Sequence, residues 1–177
     1  MGGTNGITIR RATIEDAALL ADIGARLFDQ TFRAQNTPED MAHFLAATYS
    51  PELQRAELAD PDRVTVLAFD SNGTAIGFAM TRRGTRSNGV VAERPVEVQR
   101  IYVDRDSHGS GIGAALMNSC VDQARAWNGD VLWLGVFQEN PRAIAFYKRQ
   151  GFEVVGVQEF MVGRDLQHDY VMARSLT

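Results

Sequence analysis

Three glycines stand at alternate positions in His108-Gly109-Ser110-Gly111-Ile112-Gly113. The apolar triplet Ile101-Tyr102-Val103 precedes them, and a helical pattern from Ser110 to Asn128, closed by Gly129, follows. Lacking a Cβ, glycine lets the backbone approach a ligand closely and turns several N–H groups toward one point. The positive end of the helix dipole reinforces that field. Strand, glycine loop and helix start together make an anion site suited to a pyrophosphate. A turn that only reverses the chain needs fewer glycines.

Context excludes two other phosphate motifs. Gly109-Ser110-Gly111-Ile112-Gly113-Ala114 fits the dinucleotide pattern GxGxxG/A. After the next strand, however, only one helix and two strands remain, too few to complete a doubly wound sheet. A P-loop needs Gly-Lys-Ser/Thr at a fixed spacing, and none follows here.

The positioning elements follow from periodicity. Thr13-Ile14-Glu15-Asp16 has the form of a capping box. Ala17, Leu20, Ile23, Leu27, Phe28 and Thr31 then recur at helical spacing. Thr37-Pro38-Glu39-Asp40 opens a second helix, and a third runs from about Pro51 to Ala59. Strands are expected at Ile7–Ile9, Val64–Phe69, Ala75–Thr81, Val96–Val103, Val131–Val136, Phe152–Gln158 and about His168–Arg174. Asn72-Gly73 signals a hairpin, since both residues tolerate positive φ. Residues 82–95 are polar and turn-rich, a loop. Val131–Val136 is continuously apolar, as a strand covered on both faces should be. Asn140-Pro141 opens a helix ending before Gly151. This order predicts one α/β (α+β) domain over residues 1–177: a mixed, mostly antiparallel twisted sheet with helices on both faces. The Gly-rich residues 1–6 are expected to be frayed.

Composition narrows the class. A chain of 177 residues suits one core better than two undersized ones. A net charge of −4 argues against nucleic acid or an anionic membrane as partner, both of which need clustered Lys and Arg. No apolar run approaches the roughly 20 residues of a membrane span, and no signal-peptide core is evident, so a cytoplasmic protein is expected. The single cysteine, Cys120, shares an apolar face with Ile112, Leu116 and Ala124 and reads as core. His43 and His168 have no ligand-like partners, so no metal is expected. Glu39, Asp40, Glu52 and Glu57 read mostly as solvated helix acids.

Ile101-Tyr102-Val103 with its glycine loop and helix resembles the acetyl-CoA signature of GNAT N-acetyltransferases. Asn140-Pro141-Arg142-Ala143-Ile144-Ala145-Phe146-Tyr147, with Gly151-Phe152 after it, resembles that superfamily's second signature. The two occur in the expected order and separation. The family's loop pattern is Gln/Arg-x-x-Gly-x-Gly/Ala, and His108 stands where Gln or Arg is usual. The resemblance implies acetyl-CoA as cosubstrate, contacted by Ile101, Tyr102, Val103, His108, Gly109, Ser110, Gly111, Ile112, Gly113 and Asn140. Asn140 is also a good helix N-cap.

The resemblance extends to the PaiA-type spermidine/spermine acetyltransferases. It is carried by Phe28-Asp29-Gln30-Thr31-Phe32, Gln35-Asn36-Thr37-Pro38-Glu39, Leu134-Gly135-Val136-Phe137, Phe160-Met161-Val162-Gly163 and Met172-Ala173. It implies a small-molecule amine acceptor, a polyamine such as spermidine or spermine. A protein N-terminus, an amino acid or an aminoglycoside-like amine stays open as acceptor, as do a non-catalytic CoA-binding module and a homodimer.

Acetyl transfer to an amine needs few groups. The amine must be neutral, although free alkylamines have pKa near about 10. The leaving thiolate needs a proton. The family places a tyrosine at the position of Tyr147 beside the cofactor sulfur, which implies a general acid there. A mere binder needs no such acid. Glu97 and Gln99 alternate on the strand before the glycine loop, on one face. The family often has an acid on this strand, so Glu97 is the candidate to accept the amine's proton, directly or through water.

Overall fold

Alternating burial sorts the strands into one sheet between two helical layers. A computed structural model describes residues 6–177; the fraying expected of residues 1–5 lies outside them. In chain order the elements are β1 (Thr8–Arg11), α1 (Ala17–Phe32), α2 (Pro38–Thr48), α3 (Pro51–Ala59), β2 (Arg63–Phe69), β3 (Ala75–Arg83), β4 (Pro95–Val103), α4 (Ile112–Ala126), β5 (Val131–Phe137), α5 (Pro141–Arg149), β6 (Glu153–Val162) and β7 (Asp165–Ser175). The sheet order is β1-β2-β3-β4-β5-β7-β6. Among the described residues only β4 and β5 pair in parallel. The mixed, mostly antiparallel α/β fold is the one expected.

Capping chemistry sets the helix starts. Thr13 N–H donates to Asp16 Oδ2 at 2.8 Å ahead of α1. Thr37 Oγ1 accepts from Asp40 N–H at 3.1 Å, and Ser50 Oγ from Leu53 N–H at 3.2 Å, each followed by a proline in the first turn. At the end of α4 the left-handed residue is Asn128, not Gly129. Gly129 is needed for space, since a Cβ there would stand 2.9 Å from the Ala124 carbonyl oxygen.

Leu67 and Phe78 face α1 and α2, while Ala68 and Ala79 face α4 and α5. Cys120 is core, as expected, and burial pushes its thiol up to about 12. The β6–β7 hairpin is longer than its apolar pattern suggests. Gly163, at φ 61°, closes it between Val162 and Asp165. Its outer strand carries exposed Val154, Val155, Val157 and Met161, which obscure the alternation. Asp40 is not free: its Oδ1 accepts the Arg164 N–H at 2.9 Å and docks the hairpin tip on α2.

Glu57 departs from its expected solvated role. It accepts Arg100 Nη2–H at 3.0 Å, and both side chains are largely buried, at 16% and 10% exposure. Removing one member of a buried pair leaves the other charge desolvated and uncompensated. Glu57→Ala is therefore expected to cost about 3–5 kcal/mol of unfolding free energy. Asp62→Ala, which breaks the exposed Arg83–Asp62 pair, should cost under about 1 kcal/mol. Urea unfolding of both variants checks the contrast.

Candidate active site

β4 and β5 pair at only three registers, Pro95↔Val131, Val96↔Leu132 and Glu97↔Trp133. Beyond these, β4 continues along β3 and β5 along β7. The facing edges, residues 98–103 and 134–137, are unpaired with each other. A cavity of about 1210 Å³ opens at this split. It runs from the glycine loop to an aromatic wall of Phe32, Phe44 and Phe160. That volume exceeds the usual range of a single small-ligand pocket.

At one mouth, Gly109 and Gly111 have φ of 81° and 86°, and a Cβ on either would meet open space. The first helical bond of α4 runs from Ala115 N–H to Gly111 C=O. The N–H groups of residues 112–114 thus precede the helical ladder and are free for an anion. Arg105, Arg142 and Arg149 also line the cavity. This constellation fits a pyrophosphate. His108 takes a local role: its Nε2 lies 2.9 Å from the Val103 carbonyl oxygen, which stitches the loop to β4. Ile101, Tyr102, Val103, His108, Gly109, Gly111, Gly113 and Asn140 all line the cavity. Ser110 and Ile112 do not. Ser110 Oγ bonds back to Ser107 C=O, and Ile112 is sealed in the core at 2% exposure, so only their backbone is at the loop.

Asn140 caps α5, its Oδ1 accepting Ala143 N–H at 3.2 Å. Two turns on, Tyr147 stands on the cavity wall, 9% exposed, its ring 5.4 Å from Phe146 and 6.0 Å from Phe152. Burial raises its hydroxyl above the usual tyrosine value. Among the described residues that hydroxyl has no hydrogen-bond partner, yet it is not sealed from the cavity.

β4 corrects the expected alternation of Glu97 and Gln99. Thr81 pairs with Val98 and Met80 with Arg100, so Gln99 is an extra, bulged residue. Arg100, not Gln99, takes the next place on the face of Glu97. Gln99 lines the cavity with a buried Oε1 that lacks a partner. Glu97 also lines it, but its Oε2 accepts three hydrogen bonds: from Arg82 Nη2 at 2.7 Å, Arg82 Nε at 3.0 Å and Thr85 Oγ1 at 2.9 Å. The loop after β3 forms this wall. It is tied down by Trp133 Nε1–H to Thr85 C=O at 3.2 Å and Ser87 Oγ–H to Gln158 Oε1 at 2.6 Å.

Two cavity carboxylates, Asp169 and the exposed Glu159, are not marked by any sequence motif. Asp169 on β7 is 7% exposed, and burial pushes it up to about 6, against an opposing hydrogen bond from Gln158. The available signal was its place in the alternation Gln167, Asp169, Val171, all inward. Among the described residues, no three His, Cys, Asp or Glu side chains gather as a metal site, and no helix is long and apolar enough to cross a membrane.

Fold and site together define an acyltransferase that draws on a CoA thioester. The chain belongs to the acetyltransferase (GNAT) family, whose family model matches residues 26–152. It is an acetyl-CoA-dependent N-acetyltransferase. An uncharacterized N-acetyltransferase of Mycobacterium tuberculosis is 36% identical over 161 residues, covering 91% of this chain and 98% of that one. The N-alpha-acetyltransferase RimI of the same organism is 32% identical over 155 residues, 88% and 84% of the two chains. Among solved structures, the PaiA N-acetyltransferase of Thermoplasma acidophilum, in complex with coenzyme A, superposes with a TM-score of 0.76. It is 21% identical and covers 96% of this chain and 98% of that chain.

Proposed function

We infer that the acceptor is a small cationic amine, with a polyamine such as spermidine or spermine as the leading class. The observation that carries this reading is the charge at the far end of the cavity. Asp169 and Glu159 line the cavity together with Phe32, Phe44 and Phe160, and Glu97 lines it too but is paired with Arg82. Carboxylates attract the ammonium groups of a polyamine, and aromatic faces hold its methylene chain or a cation. The resemblance of residues 28–39 to PaiA-type enzymes supports the same class.

When bound, acetyl-CoA supplies the activated acetyl group. The N–H groups of residues 111–114 hold its pyrophosphate at the helix start. The unpaired edges of β4 and β5 offer backbone donors and acceptors to the amides of its pantetheine arm. Tyr147 donates its hydroxyl proton to the departing sulfur. Glu97 keeps Oε1 outside its three hydrogen bonds, while Arg82 balances its charge.

A panel of amines read out as CoA release tests the acceptor. Spermidine or spermine should turn over faster than lysine, peptides or aminoglycosides. Their KM should rise with salt as the attraction between polyamine ammonium groups and the exposed Glu159 is screened. A panel in which peptides with free N-termini release CoA and polyamines do not would overturn this choice. It would favour a protein N-terminus, the reading that the similarity to RimI supports.

A further inference from the structure

We propose that Asp169, not Glu97, is the catalytic base that removes the proton from the incoming ammonium. This rests on the acetyltransferase reading above and deepens it at the same site. Of the cavity carboxylates, the two buried ones, Glu97 and Asp169, differ in what already occupies them. Glu97 Oε2 is saturated by Arg82 and Thr85. Asp169 has no ion-pair partner among the described residues and only the neutral Gln158 amide as donor.

The backbone makes room for Asp169. Gly135 is on β5, two residues past the last β4–β5 pair, where the sheet opens. A Cβ on Gly135 would stand 3.2 Å from Asp169 Oδ2 and would collide with Gln158 Nε2. Any other residue at 135 would therefore displace both groups. Ser87 fixes the Gln158 amide by donating to its Oε1, which leaves Nε2 directed at the carboxylate. Register puts Asp169 opposite Phe137 on β5 and Gln158 on β6. Phe137 in turn packs against Phe32 of α1.

The ionisable groups that reach Asp169 are few. His168, beside it on β7, lowers its affinity for a proton, and Tyr102 comes from β4. On β4, Arg100 is neutralised by Glu57, and Glu97 by Arg82 from β3. Glu159 on β6 adds negative charge to the same cavity, and Arg86 of the following loop donates to backbone carbonyls. Desolvation dominates what remains and raises the carboxyl to about 6, so at neutral pH it is ionised and more basic than an ordinary carboxylate.

The proton inventory closes. One N–H bond of the ammonium breaks and its proton goes to Asp169. The freed nitrogen lone pair forms the C–N bond to the acetyl carbon as the C–S bond breaks. The thiolate takes the Tyr147 hydroxyl proton. The nitrogen's surplus proton, shed as the amide forms, restores the tyrosine through water, and Asp169 releases its own proton to solvent.

The test is Asp169→Asn, assayed with whichever panel amine the wild type acetylates fastest. It should lower kcat by about 10²–10⁴-fold and leave the acetyl-CoA dissociation constant unchanged by calorimetry. The wild-type kcat/KM should rise with pH through about 6, and the variant should lose that limb. The folded chain binds this proton more tightly than the unfolded chain, so the ionised carboxylate costs stability above about pH 6, and the variant should melt no lower than wild type at neutral pH. Gln158→Leu supplies an independent readout: losing its hydrogen bond should move the limb to higher pH while the enzyme stays active. A variant Asp169→Asn with more than about half the wild-type kcat and an unchanged limb would overturn the proposal while leaving the acetyltransferase standing. A wild-type enzyme that released no CoA with any amine would overturn the acceptor reading and the proposal together.

Discussion

Gly111→Asp is expected to raise the acetyl-CoA dissociation constant by about 10²-fold or more. Gly111 sits at φ 86° with open space where its Cβ would project. A carboxylate placed there meets the pyrophosphate at the point where the first N–H groups of α4 converge. Like charges brought together in a binding site cost several kcal/mol, and about 1.4 kcal/mol is tenfold in affinity. Positive φ adds a backbone cost of roughly 1–2 kcal/mol for any side chain, so melting should fall slightly. Gly111→Asn separates the two effects, because it has nearly the same shape and the same strain without the charge. Calorimetry on the pair checks this. If Gly111→Asp bound acetyl-CoA within about twofold of wild type, the loop would be relieved of its phosphate-binding role.

Tyr147→Phe should reduce kcat by about 10²–10⁴-fold, the usual contribution of a positioned acid, with acetyl-CoA affinity close to wild type. The phenylalanine ring keeps the packing against Phe146 and Phe152, so the melting temperature should hold. An interaction made only in the transition state appears in kcat rather than in ground-state binding. Burial holds the hydroxyl above the ordinary tyrosine value, so it remains protonated through the neutral range and contributes no limb of its own there. A fall of less than about twofold in single-turnover rate would reassign the side chain to packing.

Much of this architecture was legible in the residues because the signals were local. Caps at Thr13 and Thr37, the apolar run at 131–136 and the glycines at 109–113 each specify their own neighbourhood. What stayed hidden depended on partners distant in sequence. The bulge at Gln99 is a property of two strands in register, so no pattern within β4 betrays it. The capture of Glu97 by Arg82 and Thr85 needs the β3–β4 loop to fold back over the sheet. Asp169 is 72 residues from Glu97 in sequence, and only the order β4-β5-β7 brings them to one cavity. The family signatures mark the cofactor end; the acceptor end is assembled from side chains that no single motif contains.

The three rungs that join β4 to β5 have a mechanical consequence. Among the described residues they are the sheet's sole seam between an N-terminal leaf, β1 to β4, and a C-terminal leaf, β5 to β7. A ligand arm lying along both open edges becomes the missing rungs of that seam. Acetyl-CoA bound as proposed would then be a splice as well as a reactant. Its binding energy enters the cooperativity with which the leaves hold together, since whatever binds only the closed form stabilises it. If CoA lies there as proposed, its departure would loosen the same joint that its arrival made firm.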